Sequence, residues 1–356
     1  MPRARDLGVV IGALPPGPTN SVLDVAGVGL GHATVHRDEP APPAGRGIAR
    51  TGVSTLLVAD DAYLRPLPAG GAVLNGAGEC TGFLTAAEWG ATETPVYLTS
   101  TMQLGRVYDA ACEIALEQHP FVADDVVIPV VAECDDSFLN DCRRMQVTGD
   151  DVRASWRAAL DSRGAATPPD EGAVGAGTGM SCFDFKGGIG TASRVVGDHT
   201  VAVLLLTNFG AREECVVDGV PVGRLLEPAP SGPHAPAGSC IGVVVTDAPV
   251  DGAGCARLAH RIGLGLARTG SVAHHGSGEI FFGVGTGMRL DRDGAPDRTA
   301  LTTGRALDPL FGAVVEAAEE AVLNSMFGAA TTVGRDGNTS KSLHDPQVLA
   351  LLRHRP

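Results

Sequence analysis

A proline-rich stretch, Pro228-Ala-Pro-Ser-Gly-Pro-His-Ala-Pro236, runs through Ala237 to a Gly238-Ser239 pair and then straight into Cys240-Ile-Gly-Val-Val-Val-Thr-Asp247. Proline fixes φ and lacks an amide hydrogen, so neither a helix nor a central strand continues through this stretch. The β-branched apolar run after it reads as a buried strand. Ser239 therefore stands at the first position of a strand, behind a flexible glycine and an exposed loop. If the Gly238-Ser239 bond were cut, that serine would carry a nucleophile and a base in one residue. Gly-Ser is among the commonest loop pairs, so the dipeptide means nothing until the rest of the chain supplies partners.

At 356 residues the chain accommodates one large α/β domain or two closely packed halves. Aromatics make up only 4% while glycines number 48, which predicts a sheet-rich interior of small residues with close backbone packing. A net charge of −14, without any local Lys/Arg cluster, opposes binding to nucleic acid or to an anionic membrane. The amino terminus has no apolar stretch of roughly 7–15 residues before a cleavage site, and no membrane-spanning apolar run follows. The expectation is a cytoplasmic protein. None of the eight cysteines forms a C-x-x-C pair, which favours buried thiols over disulfides or zinc ligands; no metal or other cofactor is expected.

Apolar periodicity predicts strands over residues 52–59, 95–100, 125–133, 199–207, 241–245 and 279–283. It predicts helices over 102–118, 149–162, 252–268 and 308–327, with a short one in the tail from Asp345. Residues 21–32 read as an edge strand with a turn, and 38–49 as a loop. The glycine-rich segments 69–82 and 172–190 complete no nucleotide-binding pattern; the first reads as a short apolar strand with a backbone-packing glycine-rich loop, the second as two strands around a hairpin. Asp291-Arg-Asp-Gly294 and Arg335-Asp-Gly-Asn338 lack the downstream glutamate of a calcium loop and read as turns.

Several polar residues stand at strand ends. Glu133 closes an apolar strand, either as an anchor for an ammonium group or as a capping or ion-paired carboxylate. Asn208 ends the strongest strand, positioned either to donate to a developing oxyanion or to form a turn. Ser277 and Glu279 are two apart and share a face if the segment is extended, so a hydroxyl and a carboxylate would converge. The adjacent His274 and His275 are set aside as incidental loop residues.

Six runs together resemble the self-processing serine aminopeptidases of the L-aminopeptidase/D-esterase family, the DmpA and β-aminopeptidase type. They are Leu23-Asp-Val-Ala-Gly-Val-Gly-Leu-Gly-His32, Val73-Leu-Asn-Gly-Ala-Gly-Glu-Cys-Thr-Gly82, Leu206-Thr-Asn-Phe-Gly210, Gly238-Ser239, Gly276-Ser-Gly-Glu279 and Glu319-Glu-Ala-Val-Leu-Asn-Ser325. Their joint order and spacing carry the likeness. It implies an α+β fold, a four-layer αββα sandwich similar to N-terminal-nucleophile hydrolases but differently connected. It implies one domain over residues 1–356, cut between Gly238 and Ser239 into an α chain of residues 1–238 and a β chain of residues 239–356.

The resemblance further implies that Ser239 is the nucleophile, that Asn208 stabilises the oxyanion and that Ser277 and Glu279 support the nucleophile and its amine. Glu133 would hold the substrate's free amino group. Some relatives place a tyrosine two residues beyond that glutamate; this chain has Asp135, which changes the substrate-binding end of the pocket. The implied substrates are small peptides, amides or esters with a free amino group, whose N-terminal L-, D- or β-residue is released through an acyl-Ser239 intermediate. A homo-oligomer, a tetramer, is also implied. The competing readings are an acyltransferase of the ornithine acetyltransferase type, whose threonine motif is not found here, and an uncleaved amine-binding protein, which has no use for all four of Ser239, Asn208, Ser277 and Glu279.

Overall fold

The computed structural model describes residues 1–227, 238–292 and 299–353. The proline-rich loop expected at 228–237 and part of the turn at 291–294 lie outside the described residues. In chain order the strands are β1 Gly29–Asp38, β2 Ile48–Leu57, β3 Leu67–Gly76, β4 Ala91–Thr92, β5 Val96–Ser100, β6 Val130–Cys134, β7 Ser181–Cys182, β8 Phe185–Lys186, β9 Gly188–Val196, β10 His199–Thr207, β11 Cys240–Thr246, β12 Gly278–Gly285, β13 Thr332–Val333 and β14 Thr339–Ser340. The helices are α1 Phe83–Trp89, α2 Leu104–Gln118, α3 Gly149–Asp161, α4 Val222–Leu225, α5 Gly252–Arg268, α6 Asp308–Phe327 and α7 Pro346–Arg353.

Of the two large sheets, one has the order β1-β2-β5-β6 and the other β4-β3-β12-β11-β10-β9, beside the two-stranded pairs β7-β8 and β13-β14. Successive strand side chains alternate between faces, and here both faces of each sheet are buried. In β10, Ala202, Leu204 and Leu206 point into a core shared with Val96, Leu98, Val130 and Ala132 of the other sheet. Val201, Val203 and Leu205 instead meet Leu258 and Ile262 of α5 and Val314 and Ala318 of α6. On the far side, Tyr97 and Val131 pack with Val107 and Ile114 of α2 and Val152 of α3. The layers are thus α2/α3, sheet, sheet, α5/α6, the expected αββα sandwich. Burial on both faces is why the strands read as continuous apolar runs rather than alternating ones.

Helix and sheet approach closely where side chains are missing. A Cβ on Gly190 would stand 1.9 Å from the Ala321 carbonyl oxygen of α6, so only glycine lets β9 lie against that helix. The face of α6 turned to the amino-terminal segment is polar. Arg194 of β9, fully buried, binds Glu320 at 2.7 Å and Glu316 at 3.0 Å, and Arg5 binds Glu320 at 2.8 Å. Asn324 accepts from the Ala4 amide at 3.0 Å and donates to the Thr191 carbonyl at 2.8 Å, while Ser325 meets Thr207 at 2.7 Å. The run 319–325 is therefore an internal clamp that fixes the start of the chain and β9 to α6.

Three expectations change. The strand placed at 125–133 occupies only Val130–Cys134, because the earlier apolar residues lie at the surface, Val126 being 71% exposed. Gly175–Gly179 forms a buried 3-10 turn rather than a strand; the hairpin that follows is the short β7/β8 pair. The edge strand β1 begins only at Gly29, after a Ser21-capped 3-10 turn, and runs on to Asp38. All eight cysteines are free thiols, six of them buried.

Candidate active site

Three neighbouring strands of the larger sheet bring their ends together. β10 and β11 are antiparallel with Thr207 opposite Cys240, so Asn208, leaving β10, faces Ser239, entering β11; the Asn208 amide donates to the Ser239 carbonyl at 3.0 Å. β12 runs parallel to β11 with Glu279 beside Cys240, and the Gly278 amide donates to Ser239 Oγ at 3.1 Å. Gly238 lies hard against Asn208: a Cβ there would sit 2.0 Å from the Asn208 carbonyl oxygen and 2.2 Å from its Nδ2. Asn208 Nδ2 donates to the Asp135 carbonyl at 2.7 Å, and its Oδ1 accepts from the Ser181 amide at 2.8 Å. Both bonds fix the amide plane, with Nδ2 beside Gly238.

The Ser277 hydroxyl donates to Glu279 Oε1, and both residues are buried. Burial pushes the Glu279 carboxyl above its ordinary pKa, against the pull of the Ser277 hydroxyl. Its other oxygen, Oε2, is buried without a hydrogen-bond partner among the described residues. An acceptor in that condition is costly unless a donor reaches it. The loop before Ser277 is pinned by Asn75 of β3, whose Nδ2 donates to the carbonyls of His274, at 2.9 Å, and of Ser277. His274 itself pairs with Glu214 at 2.9 Å, and neither histidine hydrogen-bonds to Ser239.

Glu133, at the end of β6 in the smaller sheet, reaches the same region. It accepts from the Glu79 amide at 2.8 Å and from the Thr101 hydroxyl. A Cβ on Gly78 would lie 3.2 Å from Glu133 Oε1 and 3.9 Å from the Gly278 Cα, which places the carboxylate one residue's width from the start of β12. Burial raises its pKa, opposed by the Thr101 and Glu79 hydrogen bonds. Among the described residues no cation pairs with it. Asp135 meets the site through its main chain; its carboxylate turns back to the Ser137 amide and hydroxyl, both at 2.9 Å.

Asp135, Asp136 and Cys142 offer ligand atoms within 4.8 Å of one another, the one such group among the described residues. The Cys142 thiol donates to Asp136 at 3.4 Å, and burial, then the neighbouring carboxylates, drive its pKa far up.

The profile of peptidase family S58 matches residues 20–340. The chain belongs to peptidase family S58. The β-peptidyl aminopeptidase BapA of Sphingosinicella xenopeptidilytica is 36% identical over 374 residues, 99% of this chain and 92% of that protein. Among solved structures, the PH0078 protein from Pyrococcus horikoshii OT3 is similar with a TM-score of 0.90 and 37% identity, covering 99% of each chain. The L-aminopeptidase D-Ala-esterase/amidase from Ochrobactrum anthropi, described as a prototype for the serine aminopeptidases and a variant of the Ntn hydrolase fold, follows at 0.88 and 34%. That likeness covers 99% of this chain and 98% of that one.

This S58 chain is accordingly a serine aminopeptidase of the N-terminal-nucleophile type. Of the residues read as site candidates, Ser239, Asn208, Ser277 and Glu279 converge on the ends of β10–β12, and Glu133 approaches from the second sheet. The supports, Asn75, Thr101 and the Ser181 amide, carry no signal of their role in the sequence. Asn75 lies within the run 73–82 and Thr101 just after the strand read at 95–100, yet only the folded chain brings them to their partners.

Proposed function

We propose that this S58 aminopeptidase cuts its own Gly238-Ser239 bond and then uses the freed Ser239 to release the N-terminal residue of small peptides, amides or esters. The observation that carries the reading is the packing of Gly238 against Asn208 Nδ2 and of Ser239 Oγ against the Gly278 amide, one residue before Glu279, whose buried Oε2 has no hydrogen-bond partner among the described residues.

In maturation, Ser239 Oγ adds to the Gly238 carbonyl carbon, the C–N bond breaks and the Oγ proton ends on the departing nitrogen. Water then hydrolyses the Gly238 ester, leaving a carboxylate at 238 and a free amine and hydroxyl on Ser239. That α-amine, with a reference pKa of about 7.7–8.0, is the base of the turnover reaction. It accepts the Oγ proton as Oγ attacks the substrate carbonyl, and returns it to the leaving amine. Asn208 Nδ2 holds the oxyanion, and the free oxygen of Glu279 receives the Ser239 amine. Glu133 takes the substrate's ammonium group. Asp135 shapes that end of the pocket.

No described helix is long and apolar enough to cross a membrane, and we read the enzyme as cytoplasmic and homo-oligomeric. The test is intact mass and denaturing electrophoresis of the purified protein. Fragments 1–238 and 239–356, absent from Ser239→Ala, are expected, together with hydrolysis of at least one p-nitroanilide in a panel of L-, D- and β-amino acids. A wild-type chain that stays whole and inert overturns the reading.

A further inference from the structure

The chain contains two lysines, and one of them, Lys186, is completely buried. Among the described residues no carboxylate pairs with it. Its Nζ instead donates to three main-chain carbonyls, of Gly177 at 2.9 Å, Met180 at 2.7 Å and Gly187 at 2.7 Å. A buried cation held only by dipoles is expensive, and burial lowers its pKa to about 7. Tying together the β7/β8 hairpin would not by itself require a charge.

The Met180 carbonyl belongs to the same peptide unit as the Ser181 N–H, and that N–H donates to Asn208 Oδ1 at 2.8 Å. Two amide groups thus stand head to tail between the Lys186 ammonium and the Asn208 Nδ2 that touches Gly238. A cation on the first carbonyl polarises its N–H, which polarises the second amide, so the final N–H becomes a stronger donor. The units are rigidly held. The hairpin turn places Phe183 and Asp184 at φ of 52° and 59°, the Phe183 amide donates to the Phe209 carbonyl at 2.7 Å, and the two rings meet edge-on at 5.1 Å. An aromatic residue held at positive φ needs such over-determination.

We propose that Lys186 is a positioning residue of the oxyanion site, its charge relayed through the Met180–Ser181 peptide to strengthen the Asn208 side-chain donor. The proposal rests on the reading of Asn208 as that donor. It involves no proton transfer by Lys186 and no contact with substrate.

Lys186→Met removes both charge and hydrogen bonds, whereas Lys186→Gln keeps a donor for the Met180 carbonyl without the charge. Each is compared with the wild type in self-cleavage, in kcat and KM on a p-nitroanilide, and in affinity for two probes. One probe is the aldehyde analogue of the released amino acid, which forms an oxyanion on addition of Ser239; the other is the free amino acid. Removing an oxyanion donor outright costs about 100–1,000-fold in kcat, so weakening one is expected to cost roughly tenfold. In both variants kcat, self-cleavage and aldehyde affinity should fall by a similar factor, with KM and amino-acid affinity unchanged.

Recovery of wild-type kcat in the Gln variant, or parallel loss of affinity for both probes, overturns the proposal. So does failure of both variants to fold, which would make Lys186 a scaffold residue. If the wild type itself neither cuts nor hydrolyses, the reading of the site fails; an active wild type with unaffected variants sinks only the role of Lys186.

Discussion

Gly238 has no room for a side chain, and the atoms that exclude one are those of Asn208. Gly238→Ala would push its peptide away from Nδ2, and near-attack geometry tolerates little displacement. Self-cleavage is expected to slow at least about tenfold, by analogy with the 100-fold cost of misplacing reacting groups by an ångström, while the melting temperature changes little; a cleavage time course on the purified precursor measures it. A second prediction concerns charge. In the proposed cleaved enzyme a Glu279 carboxylate beside the Ser239 amine would favour the protonated form of that amine, raising the pKa of the base. Activity that needs the free amine is then lost as pH falls through that raised value. Glu279→Gln removes the anion, so the acid limb of kcat/KM should move to lower pH even as its plateau drops. A limb that stays in place, or moves up, would count against contact between these groups.

Among the elements, α6 bears the clearest structural duty. Fully buried Arg194 and Glu320 form an ion pair at 2.7 Å, further tied to Arg5 and Glu316. Breaking a buried pair by removing one partner leaves an uncompensated charge, so Arg194→Met should cost about 3–5 kcal/mol of stability. Denaturant unfolding checks this, and kcat per folded molecule should be unchanged. This clamp also shows what was legible in the sequence. The helices at 252–268 and 308–327 appear with the boundaries that periodicity gives, because their apolar faces meet one core. The strand ends were legible too, since a polar residue closing a buried run is conspicuous; hence Glu133 and Asn208, while Glu279, at the start of its strand, is legible from its two-residue spacing to Ser277. The turn at Gly175–Gly179 was not, because glycine carries no periodic signal. Nor was Lys186, whose significance depends on carbonyls supplied by a neighbouring turn and hairpin.

At the scale of the molecule, the proposed cut falls beside the middle of the larger sheet. β11, which would begin the second fragment, is hydrogen-bonded to β10 of the first, and β12 to β3. The fragments would therefore share one sheet and two cores. Large exposed apolar residues, including Leu84 at 83% and Trp89 at 72%, also offer contact surface beyond the chain itself. The proposed homo-oligomer is checked by light scattering on the mature protein, where a monomeric mass would refute it.

If the chain is cut as proposed, the central place of β11 would give the protein a history that its finished form could not repeat. Strand pairing between residues 240–246 and 201–207 closes easily while one backbone holds both segments at high local concentration. Once the bond is gone, the same pairing becomes an encounter between two molecules, each exposing half a sheet edge. The uncut Ser239→Ala precursor should thus regain its structure after dilution from urea, whereas the mature enzyme should recover poorly and in proportion to its concentration. Separately synthesised halves should fare no better. Continuity of the chain would be needed once, during assembly, and the intact sheet would afterwards preserve an arrangement that the two pieces could no longer find.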